Sequence, residues 1–433
     1  MAPVDSPEAP APSYRRRVVD DELDDLVTGV AALALEGAKG VGKTATATAR
    51  ASTAHRLDDP TTRAVLGGDP ARVLQGRPPV LLDEWQLMPQ TWDLVRRDVD
   101  RDPTPGRFLL TGSASPRTPG THSGAGRIVQ VRMRPMTLTE RGFAPSVSLA
   151  ELLRGGRPQV SGSTSSALPD YVREIVGGGF PGLRGLPRRA LRAQLDGYLA
   201  RVVDRDFADL GQDVRRPDAL RRWMAAYAAA TSTTASYETI RDAATYGEGD
   251  KPARSTTGPY RDTLERLWLL DPVPAWSPSA NHMKRLGSAP KHHLADPALA
   301  CRLLGVSEEM LLDGREAGPA VPRDGTLLGA LFESLVTLGV RVFAQNAEAS
   351  VGHLRTKGGE REVDLVVSRD DGHVVALEVK LASDVGEHDV RHLHWLRDQI
   401  GARLLDAVIV TTGREAYRRP DGVAVVPAAL LGP

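Results

Sequence analysis

Hydrophobic and polar positions change period several times along this chain. Val19 to Gly29 has helical spacing, and a short apolar run, Ala31 to Leu35, follows it. A Gly-rich loop comes next, then a small-residue helix expected from Thr44 to about His55, with a second strand just before Asp58. Pro79 to Leu82 and Arg107 to Leu110 read as buried parallel strands, and Ile128 to Met133 reads as another strand. Strands alternating with helices predict a doubly wound α/β domain ending near Gly142. Gly155 to Pro169 is rich in Gly, Ser and Pro and reads as a linker. From Pro169 to about Trp276 the pattern is helical, with apolar spacing in Leu191–Val203, Leu220–Ala229 and Tyr260–Leu270. The last block, Gly325 to Pro427, opens with a helix over Leu327–Val340. Strand-like Val363–Val367, Val374–Val379 and Ala407–Thr411 complete it.

Composition narrows the class without deciding it. The 433 residues suit two to four domains, and 41% hydrophobic with 25% charged residues is a globular balance. Net charge is zero, so any nucleic-acid-binding surface has to be local. Cys301 is the only cysteine, which excludes an internal disulfide framework and fits a reducing, cytoplasmic setting. No apolar run approaches the ~20 residues of a membrane span. Residues 1–13, rich in Pro and Ala, read as a disordered leader rather than a secretory signal. Basic charge is carried mostly by Arg, so a Lys in a motif position carries weight.

Gly37-Ala38-Lys39-Gly40-Val41-Gly42-Lys43-Thr44 fits G-x-x-x-x-G-K-[ST] in full, between a predicted strand and a predicted helix. Gly37, Gly40 and Gly42 let backbone N–H groups turn toward phosphates, with Lys39 inside the same turn. The following helix N-terminus adds a favourable field. Lys43 is expected to reach the β- and γ-phosphates of ATP, and Thr44 to ligate Mg²⁺. A carboxylate at the end of a buried strand needs a cation or donors, so Asp83 is the expected second support of Mg²⁺. Glu84 is placed to polarise an attacking water. Thr111 and Ser113, at the end of the next strand, are both candidates to sense the γ-phosphate, with helix capping as the plain alternative. Arg127 reads either as an arginine finger toward a neighbouring subunit or as a surface ion-pair partner.

Taken together, these segments resemble a known family. Leu35-Glu36-Gly37 through Lys43-Thr44, Leu57-Asp58-Asp59-Pro60, Leu82-Asp83-Glu84-Trp85-Gln86, Gly106 through Ser113, and Arg134-Pro135-Met136-Thr137-Leu138 resemble the prokaryotic AAA-type ATPases fused to a C-terminal domain of unknown function. The resemblance implies an AAA-type core, a middle region like a winged helix and a C-terminal restriction-endonuclease-like domain. Gly179-Phe180-Pro181 matches that family's Gly-aromatic-Pro element, where Pro181 is expected near the adenine, unless the segment is a plain turn.

In the middle region, helices over Tyr237–Ala244 and Thr257–Leu270, then strand-like Asp271–Trp276 and Lys291–Leu294, follow the order of a winged helix. Arg254, Arg261 and Arg266 then line or flank the second helix and can meet phosphates, or the helices serve only as packing. In the last block Glu333 on a helix, Asp364 on a strand and Glu378-Val379-Lys380 on the next follow the order of PD-(D/E)xK nucleases. Residues i and i+2 on a strand share a face. Asp364 and Glu378 are expected to hold Mg²⁺, Glu333 to complete the set, and Lys380 to orient the attacking water.

The expected organisation is a leader (1–13), an ATPase domain (14–150), a linker (151–168), a helical lid with winged-helix-like domain (169–310) and a nuclease-like domain (325–433). The expected activity is ATP hydrolysis controlling a nucleic-acid-binding or nuclease-like domain. The alternative is a nucleotide-dependent switch that recruits a protein or DNA partner through an inactive nuclease fold. A homo-oligomer fits the arginine-finger reading, and no membrane partner is expected.

Overall fold

Five short strands carry the first sheet of the computed structural model, which describes residues 14–113, 125–245, 254–278, 288–313 and 327–433. The leader expected over residues 1–13 lies outside the described residues. The strands are β1 (Ala32–Glu36), β2 (Thr53–Arg56), β3 (Val80–Asp83), β4 (Phe108–Gly112) and β5 (Ile128–Arg132). They stand in the order β2-β3-β4-β1-β5, with every pairing parallel. Leu33, Leu35, Leu81, Leu109 and Val131 join the main core on one face, while Ala32, Ala34, Leu82, Phe108 and Leu110 pack with Trp85 and Trp92 on the other. Burial on both faces explains why β1, β3 and β4 read as apolar runs.

The helix Val19–Gly29 has the bounds its periodicity predicts. The helix after the glycine loop is shorter than expected, covering only Lys43–Thr48, and His55 belongs to β2. Ser52 and Thr53 donate their backbone N–H groups to Pro79 O at 2.9 and 3.3 Å, so sheet pairing captures the chain where helical spacing alone would continue it.

Seven strands form the second sheet, in the order β7-β12-β13-β11-β10-β9-β8. Its chain members are β7 (Gly162–Ser163), β8 (Ser350–Arg355), β9 (Glu362–Ser368), β10 (Val374–Lys380), β11 (Leu404–Thr411), β12 (Glu415–Arg418) and β13 (Ala424–Pro427). β10, β11 and β13 run parallel to one another, and the outer strands pair antiparallel. The helix Leu327–Asn346 covers one face and Glu387–Ile400 the other. By length and composition alone, Leu327–Asn346 is apolar enough to cross a membrane. Its Leu331, Phe332, Leu335 and Phe343 are buried in the core.

The segment read as a linker does structural work. β6 (Val147–Ser148) pairs with β14 (Leu431–Gly432), and β7 adds to the edge of the second sheet. Val147–Ser148, just before that segment, and Gly162–Ser163 within it therefore fasten the first half of the chain to its C-terminal region. The expected hairpin after Thr257–Leu270 reduces to two isolated bridges, Leu270 with Leu294 and Val273 with Lys291. Ala275 turns instead to His353 on β8. Pro272 and Pro274, which lack an N–H, keep this stretch from a continuous ladder.

Candidate functional site

β1 ends in Glu36, and the chain must then turn sharply into the helix Lys43–Thr48. At Gly37, with φ 153°, a Cβ would fall 2.1 Å from Met133 O, so only glycine fits beside the chain leaving β5. Gly40 and Gly42 have φ of 80° and 106°, the left-handed region that glycine enters without strain. Inside this turn the Lys43 ammonium donates to Gly37 O at 2.8 Å and Ala38 O at 2.9 Å. Burial draws Lys43 down to about 8, against the pull of Glu84 and Asp83 in the other direction.

β3 and β4 deliver their C-terminal ends to the same place. Thr44 Oγ1 donates to Asp83 Oδ1 at 2.8 Å, and Thr111 Oγ1 donates to the same oxygen. Thr111 also accepts from the Glu84 N–H at 3.2 Å. Glu84 itself is left-handed, with φ 56°, a conformation that costs a non-glycine residue energy and recurs at functional positions. Its carboxylate accepts from Gln86 Nε2 and, at 3.5 Å, from Ser113 Oγ, while Gln86 also donates to Ser113 at 3.2 Å. Thr111 thus holds Asp83, whereas Ser113 and Gln86 hold Glu84. A hydroxyl beside a strand-end carboxylate is the hard-oxygen donor set that Mg²⁺ prefers, so these residues fit the ion.

Two cavities meet at Gly40. One, of about 790 Å³, is lined by Lys39, Glu84, Ser113 and Arg266 among others. The other, of about 320 Å³, is walled by Phe180, Leu183, Gln194 and Tyr198. Phe180 and Tyr198 pack with tilted rings, their centres 5.3 Å apart. Pro181 packs within 3.6 Å of where a Gly42 side chain would start. Lys39 donates to the buried Asp206 at 2.5 Å, and Arg201 lies 3.6 Å from the same oxygen.

Arg127 is not brought into this group. It precedes β5 at the end of the sheet opposite the glycine loop, and its Nε donates to Asp100 at 2.8 Å. Of the arginines expected on the middle helix, Arg261 is paired with Asp262 at 2.9 Å and lies over the Tyr237 ring. Arg266 lines the larger cavity beside the glycine loop. The side chain of Arg254 lies outside the described residues.

At the second sheet Glu333 and Asp364 meet at a residue absent from the expected set, while Glu378 and Lys380 pair with each other. Lys291 Nζ, on a side chain only 1% exposed, sits 2.8 Å from Glu333, 3.0 Å from Asp364 and 3.2 Å from Glu362. The other Asp364 oxygen accepts from the Val379 N–H at 2.9 Å. Lys380 pairs with Glu378 at 3.1 Å. Burial, with Asp364 nearby, raises Glu333 to about 8 and Glu378 to about 7. Among the described residues, no group of three or more His, Cys, Asp or Glu is arranged to hold a metal ion. Of the expected Mg²⁺ pair, Asp364 has both oxygens engaged, by Lys291 and the Val379 N–H, whereas Glu378 gives one oxygen to Lys380 and its Oε1 has no hydrogen-bond partner among the described residues.

Lys291 carried the signal applied to Lys380, a lysine in an arginine-rich chain, and sequence reading passed over it. Asp206, Gln194 and Tyr198 carry no motif. Only folding brings them to the loop.

A further cluster joins the two sheets. The buried Asp271 accepts from Arg134 at 2.8 Å and lies 3.0 Å from Arg132 and 2.8 Å from Arg341. Arg132 ends β5, and Arg341 lies on Leu327–Asn346. Although burial opposes ionisation, the three guanidiniums hold the Asp271 carboxyl well below the usual carboxylate range.

Comparison with known proteins bears on the part of the chain that holds the first sheet. Residues 30–141 match the family described as AAA domain, which supports an AAA-type, ATPase-like character for this part of the chain. Residues 168–310 and 328–431 match two families described as domains of unknown function. Uncharacterized proteins of Mycobacterium tuberculosis and Mycobacterium bovis are each 28% identical over 364 residues, covering 83% of this chain and 71% of each relative.

Proposed function

We propose that this chain is a Mg²⁺-dependent ATPase whose nucleotide state acts on its C-terminal sheet. The observation that carries the reading is the 2.8 Å contact between Thr44 and Asp83, which joins the loop-bearing helix to the end of β3. Lys43, now on the loop carbonyls, would meet the β- and γ-phosphates, and Thr44 and Asp83 would hold the ion. When bound, Mg²⁺ offsets charge on those phosphates. Glu84, once free of Gln86, orients and deprotonates the attacking water. Thr111 and Ser113 tie β4 to the state of that site. Phe180, Pro181 and Tyr198 form the wall for adenine. Arg127, exposed at the far end of the sheet, is suited to act on the nucleotide of a second copy. The setting consistent with the single buried cysteine is the cytoplasm.

The experiment is ATP turnover by the purified chain, compared with Lys43→Ala and Glu84→Gln. Mg²⁺-dependent hydrolysis lost in both variants, with nucleotide binding kept in Glu84→Gln, supports the reading. No hydrolysis, or hydrolysis that survives Lys43→Ala, removes it.

For the C-terminal region, the helix–strand–strand order of Glu333, Asp364, Glu378 and Lys380 supports a restriction-endonuclease-like fold that engages nucleic acid. A second reading, a switch that recruits a DNA or protein partner without cutting it, is favoured by Lys291 at the centre of the acidic group. Metal-dependent DNA cleavage that Asp364→Ala abolishes would support the first; DNA retention without cleavage would support the second.

A further inference from the structure

The carboxylates of the second sheet converge on one point, and that point is an ammonium group. Glu333 from the helix and Glu362 and Asp364 from β9 each put an oxygen within 3.2 Å of Lys291 Nζ. Lys291 does not belong to the sheet or its covering helices. It enters from the segment after the middle helices, and its backbone is pinned there by reciprocal bonds with Val273, each 2.9 Å. The neighbouring Asp271 N–H donates to His293 O at 2.8 Å, and His353 Nε2 lies 3.1 Å from Ala289 O, so the segment is held on both sides of Lys291. A divalent ion holds carboxylate oxygens at about 2.0–2.6 Å, so it and the ammonium exclude each other from the same centre.

We infer that Lys291 is the resident cation of this acidic centre, an internal plug that keeps divalent metal out of the C-terminal site. The centre takes a metal ion only when Lys291 leaves or loses its charge. Replacing the lysine by a neutral side chain of similar length leaves three carboxylates facing one another. Each then needs to move inward by less than about 1 Å to reach metal–oxygen distance.

The test uses the full chain without nucleotide, so it does not depend on the ATPase reading. Mn²⁺ binding is measured by electron paramagnetic resonance in the wild type, Asp364→Asn, Lys291→Met and the double variant Lys291→Met/Asp364→Asn. The expected result is no Asp364-dependent Mn²⁺ in the wild type, one bound ion gained in Lys291→Met and its loss in the double variant. Wild-type protein that already binds Mn²⁺ through Asp364 overturns the inference, as does folded Lys291→Met that binds none. Should Lys291→Met fold only when Mn²⁺ is present, and not with Na⁺ alone, the inference stands. Should it fold in neither, the wild-type comparison with Asp364→Asn decides.

Discussion

Lys39 and Asp206 meet at 2.5 Å across the mouth of the glycine loop. Asp206 is buried at the end of a π-helical turn, Val202–Asp206, a rare helical form that favours functional positions. The ammonium it holds belongs to the loop expected to wrap a triphosphate. Asp206 and bound phosphate therefore compete for one cation. Asp206→Asn is expected to tighten nucleotide binding by up to about tenfold, or about 1.4 kcal/mol. Weaker binding in that variant, read by fluorescence titration, would show that the pair supports the loop instead.

Gln86 restrains Glu84 in the same way on the other side of the site. Removing the carboxylate in Glu84→Gln is expected to lower turnover by about 10²–10⁴-fold, the usual range for a lost general base. Gln86→Ala releases the carboxylate and is expected to raise basal turnover. Steady-state hydrolysis of the two variants checks both directions, and unchanged turnover in Glu84→Gln would exclude this role.

Asp271 links β5, the middle region and the helix Leu327–Asn346 through three arginines. Asp271→Ala leaves those guanidiniums buried without their anion, which is expected to cost about 3–5 kcal/mol. The carboxyl titrates below its ordinary value of 3.8 in the folded chain. The stability it contributes is thus present above pH 3.8 and is lost as pH falls below that value. Asp271→Asn should lower stability at neutral pH and flatten this acid limb. Urea unfolding at several pH values measures the effect, and parallel curves for the two proteins would contradict it.

Much of the first sheet was legible because its chemistry is local. The strand, glycine turn and helix around Lys43 are contiguous in sequence, and Asp83 ends a buried run that needs a partner. The exit of the short helix was misread because pairing of Ser52 and Thr53 with Pro79 depends on a strand about 27 residues away. The Gly/Ser-rich stretch near Gly162 looked like a free linker, since nothing local announces its pairing with Ala416. At the second site Glu333 and Asp364 do meet, but a residue from another region, Lys291, decides what they can hold. Burial and convergence of distant side chains have no period to read.

The central claim is that Lys43, Thr44 and Asp83 bind a magnesium nucleotide. Isothermal calorimetry of ATP into the purified chain tests it most directly, with and without Mg²⁺, beside Lys43→Ala. The account predicts saturable heat, one nucleotide per chain, that needs Mg²⁺ and disappears in the variant. No heat in the wild type, or the same isotherm for Lys43→Ala, would contradict it.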